Sequence, residues 1–564
     1  MENKEYMLID GNPVEINGEK NLLEVIRKAG IELPTFCYHS ELSVYGACRM
    51  CMVENSHGGM EAACSTVPKA GMEIYTNTER LHKHRKMILE LLLANHCRDC
   101  TTCQKNGKCR LQELASLFGL ESIRFKNLKP EPELDTSSLS IIRDAHKCIL
   151  CGDCVRMCNE IQNVGAIDFV NRGSKMVIGP AFNEPIANSP CAGCGQCAAV
   201  CPTGAIVIRK DTGRVWPELN DKNTKVVAQV APAVRVAMAK EFGLPENENS
   251  MGRITAALRR LGFDEVYDTA TGADLTVLEE SNEFLQRIEA GENLPLITSC
   301  CPAWIQYCEK NHPELMKNIS TCKSPMQMFS SVIKAKYATS SRRVVCVAVM
   351  PCTAKKFECA REEFMHDGVP ETDYVITTQE LIQMIHKAGI VFEELEPEAV
   401  DSVFSTCTGA GVIFGVTGGV TEAVLRRLST DKSNKALMSI AFNDVRGMKG
   451  VKETTIPYGD KEVRIAIVSG LKNAEKVIQA LKNGEHFDFI EVMACPGGCV
   501  AGGGQPFGTN ATKEVRGKAL YSADKMLSIK RSEENPLMLS LYDGVLKGRV
   551  HELLHVHYNH KEEE

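Results

Sequence analysis

Apolar and polar positions alternate through Tyr6–Ile9 and Val14–Ile16, on either side of Asp10-Gly11-Asn12. This is the pattern of two half-buried strands joined by a tight turn. Leu22, Leu23, Val25 and Ile26 then switch to helical spacing, which ends near Gly30. A second helical pattern runs from Leu81 to Ala94 and puts Met87, Ile88, Leu91 and Leu92 on one face. Asn127–Ser138 carries two prolines and several acidic residues and reads as a linker. From Thr224 onward, short β-rich runs (Lys225–Ala231, Val344–Met350, Val463–Val468, Phe487–Met493) alternate with longer helical patterns. That alternation predicts an α/β domain. The longest apolar run, Val344–Met350, has seven residues. A membrane span needs about 20, so none is expected. The polar tail His560–Glu564 is expected to be loose.

At about 150 residues per domain, the 564 residues suggest roughly three to five units. The 44% hydrophobic and 24% charged content is an ordinary globular balance and excludes a disordered, collagen-like or coiled-coil chain. The net charge of −7 argues against a nucleic-acid partner. The opening MENKEYMLIDGNP has no basic stretch followed by an apolar core, so no export signal is expected. What breaks the ordinary picture is 26 cysteines, sixteen of them between Cys37 and Cys201. In a reducing compartment disulfides are rare, and dense C-x-x-C spacing points to metal or cluster ligation. Inert core cysteines account for a few of these, not for sixteen in repeated short spacings.

Cys191-x2-Cys194-x2-Cys197-x3-Cys201-Pro202 matches the bacterial ferredoxin run, in which three thiolates reach one cubane and the fourth ligates the other. Cys148-x2-Cys151-x2-Cys154-x3-Cys158 repeats the spacing about forty residues earlier, with Asn159 in place of proline. One cubane is therefore assigned to Cys148, Cys151, Cys154 and Cys201, the other to Cys191, Cys194, Cys197 and Cys158. Paired zinc sites are the alternative, but two tandem four-cysteine runs favour iron–sulfur. His96-x3-Cys100-x2-Cys103-x5-Cys109 suits zinc or a cubane equally on spacing, and the neighbouring cubane runs favour iron–sulfur. Cys97 is a poorer fit to that spacing. Cys37-x10-Cys48-x2-Cys51-x12-Cys64 departs from the plant ferredoxin spacing but offers four thiolates for a [2Fe–2S] centre, with structural zinc as the alternative. Four such sites in one chain make an electron wire.

Three further motifs stand far apart: Thr298-Ser-Cys-Cys-Pro-Ala-Trp304, Met350-Pro-Cys-Thr-Ala-Lys-Lys-Phe-Glu358, and Glu491-Val-Met-Ala-Cys-Pro-Gly-Gly-Cys-Val-Ala-Gly-Gly-Gly-Gln-Pro506. Each places its thiols at an expected strand end or a glycine-rich turn. Gly497, Gly498 and Gly502–Gly504 permit positive φ and close backbone approach, as wrapping a cluster requires.

Together these motifs resemble the signature of [FeFe] hydrogenases, and their order resembles the clostridial monomeric type with four accessory clusters. The N-terminal half also resembles the electron-input subunit of respiratory complex I. The resemblance covers residues 5–558 and implies an H-cluster, a [4Fe–4S] cubane joined by one cysteine to a diiron unit with CO, cyanide and a dithiolate amine. It implies cubane ligands Cys301, Cys352, Cys495 and Cys499, with Cys499 as the bridge, and Lys355 donating to a cyanide. Met350, Met493 and Phe414 are expected to line the pocket, with the backbone of Ala231, Pro232 and Ala233 near the cyanides. Some family members have serine where this chain has Ala233, which would remove a hydrogen bond. The resemblance further implies a proton relay from Cys300 through water to Glu280, Ser320 and Glu283, with Arg287 near the surface. On the helical pattern, positions 280, 283 and 287 share a face. Without the resemblance, a solvated face with a Glu283–Arg287 ion pair is the simpler reading.

The expected architecture is multidomain α+β and α/β. It comprises a [2Fe–2S] ferredoxin-like domain (1–80), a small [4Fe–4S] domain with one histidine and three cysteine ligands (81–127), a 2[4Fe–4S] ferredoxin-like domain (138–212) and a large α/β H-cluster domain (213–564). The implied activity is reversible H2 oxidation and proton reduction by a cytoplasmic monomer. A soluble ferredoxin or flavodoxin is the expected electron partner, and maturation proteins supply the diiron unit. The alternatives are the catalytic subunit of an NADH-linked bifurcating complex and a non-catalytic H2 sensor. Gly409-Ala-Gly411 is followed by Phe414 where a dinucleotide fingerprint needs its third glycine, so no nucleotide site is expected. Cys300 is present, whereas sensors typically replace it. Cys97, Cys308, Cys322, Cys346, Cys359 and Cys407 are expected to be core or spare thiols.

Overall fold

Strand Glu5–Ile9 pairs antiparallel with Asn12–Ile16, and the connecting Asp10 and Gly11 take φ of 49° and 81°. Positive φ at both central positions is what a two-residue hairpin of this hand needs. The structure, a computed structural model, describes residues 5–127, 133–429, 446, 450–458 and 461–558. Part of the expected linker and the tail from 560 lie outside them. The hairpin extends into a five-stranded sheet through Glu73–Tyr75, Met52–Asn55 and Met60–Ala62. Helix Leu22–Lys28 covers it with Leu22, Leu23, Val25 and Ile26, and the Asn21 side chain caps it by accepting from Glu24 N–H.

The second helix spans Glu79–Ala94, but its buried face differs from the expected one. Met87 and Leu91 are exposed, and Leu81, Arg85, Leu89 and Ala94 are buried, with Ile88 and Leu92 at the flank. The face turns because Arg85 points inward, donating to the carbonyls of Met50, Met52 and Thr76 at 2.8–3.3 Å. Apolar periodicity carries no signal for an arginine recruited to satisfy buried carbonyls.

In the next unit the internal repeat is visible as two short helices, Asp153–Arg156 and Gln196–Val200. Each is entered through a left-handed glycine, Gly152 and Gly195. Strands Ile141–Arg143 and Ile206–Ile208 pair antiparallel and close the unit.

The large unit is built on two sheets. The first, in the order Glu265–Asp268, Thr224–Val230, Arg343–Met350, Tyr374–Thr377, is all parallel. Its central strands are apolar along their length because both faces are covered. The second, in the order Leu296–Ile297, Phe489–Met493, Lys461–Ser469, Val451–Tyr458, is parallel except at its last edge. Helix Ala270–Ala290 packs against Pro325–Lys336 and Gly419–Leu428. The C-terminal helices return over this core: Asn510–Met526 lies on Gly409–Val412, and Val550–Leu554 packs on Pro325–Lys336. In parallel α/β sheets ligands gather at the carboxyl ends of strands. Here strands ending at Ile297, Met350 and Met493 each lead into one of the three C-terminal motifs.

Candidate active site and cluster sites

Cys301, Cys352, Cys495 and Cys499 come from three separate strand ends and act on one another electrostatically. Burial pushes all four thiols up, Cys352 to about 11, with neighbouring Cys301 adding to it. Four sulfurs in a dry site cannot ionise together unless a cation joins them, and a coordinated metal deprotonates its thiols outright. The donor set therefore fits an iron–sulfur core. Ala494 N–H approaches Cys301 Sγ at 3.5 Å, and Gln196 Nε2 approaches Cys495 Sγ at 3.2 Å.

The glycine-rich turn works mainly through close approach. A Cβ on Gly502 would lie 2.3 Å from the Pro351 carbonyl oxygen, and one on Gly503 would lie 2.4 Å from that of Cys194. Only Gly497 and Gly498 take positive φ there, 95° and 87°. Gly503 is where the catalytic unit meets the ferredoxin-like unit backbone to backbone. Gly503→Ala is expected to cost about 1–3 kcal/mol through overpacking, read as a lower melting temperature and reduced reduction of the H-cluster cubane by the accessory clusters.

Of the four cysteines, Cys499 packs against an apolar cluster that includes Ala273, Val277, Phe414, Val420 and Met493, and Cys300 packs against the same cluster. Met350 is buried at the end of its strand, and Pro232 and Ala233 follow strand Thr224–Val230. Gln505 Nε2 donates to the Ala233 carbonyl at 2.8 Å and pins that segment. Lys355 Nζ lies 2.7 Å from Glu358 Oε2 and 3.3 Å from the Cys300 carbonyl. Sequence reading missed Gln196, Gln505 and Glu358. Of these, only Glu358 left a local trace, its i, i+3 spacing from Lys355.

The face at 280, 283 and 287 is buried, not solvated. Glu280 has no exposed surface, and neither carboxylate oxygen has a hydrogen-bond partner of ordinary geometry. Burial pushes its carboxyl up to about 8, with the Glu283 charge adding to the effect. Glu283, in contrast, accepts from Ser320 Oγ at 2.7 Å and from Thr321 N–H at 3.0 Å, and pairs with Arg287 at 2.5 Å. Arg287 also donates to the carbonyls of Asn293, Asn318 and Ile319. Burial holds the Cys300 thiol well above its usual range, and Glu280 is the next cause.

Cys148, Cys151, Cys154 and Cys201 line one cavity, and Cys158, Cys191, Cys194 and Cys197 another. His96, Cys100, Cys103 and Cys109 line a third, together with Cys97. Cys37 interacts with Cys48 and Cys51 with Cys64, and Cys37 and Cys48 also act on Cys64, so all four share one site. Each thiol set encloses a cavity or a shared site, as a bound cluster requires. Cys308, Cys322 and Cys346 are buried core thiols.

The fold and these sites define an iron–sulfur redox protein whose cluster-bearing N-terminal units feed a buried site at the strand ends of an α/β unit. Comparison with known proteins makes this specific. Residues 224–503 match "Iron only hydrogenase large subunit, C-terminal domain", and 510–561 match "Iron hydrogenase small subunit". Residues 6–79 match a 2Fe-2S iron-sulfur cluster binding domain, 85–124 the NADH-ubiquinone oxidoreductase-G iron-sulfur binding region, and 147–205 a 4Fe-4S dicluster domain. The chain is 41% identical to the NADP-reducing hydrogenase subunit HndD of Solidesulfovibrio fructosivorans over 98% of each chain. It is 35% identical to iron hydrogenase 1 of Clostridium pasteurianum over 98% of this chain and 99% of that one. A solved structure of [FeFe]-hydrogenase HydA1 from Chlamydomonas reinhardtii superposes with a TM-score of 0.54 at 37% identity, covering 62% of this chain and 98% of that one. The chain belongs to the [FeFe] hydrogenase family. Its cofactors are those of the expected set: an H-cluster, three accessory [4Fe–4S] clusters and one [2Fe–2S] cluster.

Proposed function

We propose that this hydrogenase interconverts H2 with protons and electrons beside the apolar cluster against which Cys300 and Cys499 pack, and exchanges those electrons with a soluble ferredoxin or flavodoxin. The observation that carries the reading is Glu280, a wholly buried carboxyl without a hydrogen-bond partner of ordinary geometry, whose charge acts on Cys300. A carboxyl raised to about 8 gains and loses a proton near working pH, as a relay requires. Cys301, Cys352, Cys495 and Cys499 would hold the H-cluster, which when bound supplies the H2-splitting chemistry. Lys355 would donate toward it from a dry site, oriented by Glu358. Phe414, Met350, Met493, Pro232 and Ala233 would exclude water around it. Cys300 would pass protons to Glu280, Ser320 would bridge to Glu283, and Arg287 would hold the Glu283 carboxyl in place through their ion pair.

The accessory ligands are proposed as the same cysteine sets and His96. Electrons would run from Cys495 through Gln196 and Cys194 to the cubane of Cys191, Cys194, Cys197 and Cys158, then to that of Cys148, Cys151, Cys154 and Cys201. There the path would fork. Cys151 shares an apolar cluster with Cys37, Cys48 and Cys109. Two surface clusters then offer two docking points. The proposed units follow these sites: 1–80, 81–127, 138–212 and 213–564. Ferredoxin as partner goes with a cytoplasmic location; among the described residues no helix is long and apolar enough to cross a membrane.

A second reading is favoured by the name of the relative HndD: the chain passes electrons to a partner subunit that reduces a nicotinamide nucleotide. The isolated, matured chain is tested for H2-dependent reduction of ferredoxin and of NADP+. Ferredoxin reduced and NADP+ untouched is the expected result. Slow ferredoxin reduction that accelerates only with a nucleotide-binding partner subunit would replace it with the second reading.

A further inference from the structure

An arginine keeps its proton in proteins (pKa above about 12), so Arg287 cannot be the group that hands protons to water. The structure places a titratable group beside it. His555 follows helix Val550–Leu554, and the segment around it is pinned to the loop after Ser320: Lys323 N–H donates to the Leu554 carbonyl at 2.8 Å, and Val556 N–H to that of Thr321 at 2.7 Å. His555 Nδ1 lies 2.8 Å from Thr321 Oγ1, and its Nε2 lies 3.1 Å from Glu279 Oε2. A ring nitrogen, a Glu283 oxygen and Cys322 Sγ all lie within 4.8 Å of one another. One water spans such a gap, since it needs two hydrogen bonds of about 2.8 Å. The His555 side chain keeps 9% of its surface exposed, whereas Glu280 has none.

We propose that His555 is the acid–base residue through which Glu283 exchanges protons with solvent, across one bridging water. This rests on the relay reading above. The groups facing His555 suit the role. Glu279 and Glu283 approach from helix Ala270–Ala290, with Arg287 behind Glu283. The His551 ring lies tilted at 4.8 Å on its own segment, and Tyr542 and Arg427 act on His555 through Glu279. Burial raises the Glu279 carboxyl, but the His555 and Tyr542 hydrogen bonds outweigh it, and the group is held below its usual value as a fixed anion that orients the imidazole. Burial and the Glu283 charge push the Cys322 thiol far up, so it stays protonated and does not compete as a base. In each transfer the ring nitrogen nearer Glu283 gives up its hydrogen bond to Thr321 or Glu279, its proton moves to the water and that water passes one to the Glu283 carboxylate; the reverse restores both.

The test compares the matured enzyme with His555→Ala, His555→Gln and Glu283→Gln. H2 evolution is expected to fall about 10²-fold in both His555 variants, the low end of the range of acid–base contributions, with a changed pH profile. Added imidazole is expected to restore His555→Ala. In protein lacking the diiron unit, carbon-13 histidine NMR is expected to show the His555 ring signal shifted in Glu283→Gln, because a neighbouring group has changed. A wild-type rate and profile in His555→Ala, with Glu283→Gln inactive, would overturn the proposal and leave the relay standing. Activity lost without imidazole rescue, or a His555 ring signal that ignores Glu283→Gln, would also overturn it. Full activity in Glu283→Gln would instead sink the relay itself.

Discussion

Glu280→Gln is expected to cut H2 turnover by about 10²–10⁴-fold while making the protein more resistant to heat above neutral pH. Both effects have one cause. The carboxyl is fully buried without a hydrogen-bond partner of ordinary geometry, and burial first, then the charge of Glu283, raises it from 4.5 to about 8. Between those values the folded protein keeps a proton that the unfolded chain has released. Stability therefore falls as pH rises through this window and levels off above about 8. Glutamine has no proton to lose, so the variant's advantage grows across the same window. It also cannot carry a proton, so the step from Cys300 toward Ser320 is interrupted. Viologen-driven H2 evolution and melting curves from pH 5 to 9 read the two effects. Turnover at the wild-type rate would remove Glu280 from the path. A melting difference that does not change with pH would mean that water reaches the carboxyl.

The second large effect is expected at Cys499. Cys499→Ser should take H2 evolution to background while leaving a reducible cubane. Among the four cysteines it is the one that packs, with Cys300, against the apolar cluster of Phe414 and Met493. Serine keeps the shape but replaces a soft thiolate with a hard, weakly acidic oxygen, a poor ligand for low-valent iron. Three thiols remain for the cubane. Infrared spectra should lack CO and cyanide bands while the cubane's electron paramagnetic resonance persists. Intact CO and cyanide bands would move the bridging role to another cysteine. Cys495→Ser is the contrast: that sulfur faces Gln196 on the electron-input side, and its loss should weaken the cubane first.

Much of this protein could be read from residues close together in the chain. The hairpin around Asp10-Gly11, the switch to α/β texture at Thr224 and the duplicated cysteine runs are all local patterns, and the structure has each of them. Spacing also grouped the cysteines. The sets lining the two ferredoxin-type cavities, with Cys201 and Cys158 exchanged, are those expected from the run lengths. Where the pattern misled, a long-range partner intervened. Arg85 turned the Glu79–Ala94 helix by binding carbonyls more than 30 residues away in two of its three bonds. Gln196 and Gln505 look like ordinary polar residues until the fold brings them to Cys495 and Ala233.

The pairing of Glu283 with Arg287 shows the division. Their i, i+4 spacing was legible, and alone it described a solvated ion pair. The sequence by itself determined the number and kind of thiol sets, because a short loop between cysteines limits which sulfurs can reach one cluster. It also determined the family, because three motifs of that chemistry in that order are specific. Only the tertiary structure decided that the 280–287 face is dry, that Glu280 therefore holds its proton near neutral pH, and that His555 comes to rest beside Glu283. Ligand spacing is a property of a few bonds of backbone. Desolvation is set by everything packed around a group, here helices and loops drawn from residues 270 to 556, and no local pattern encodes it.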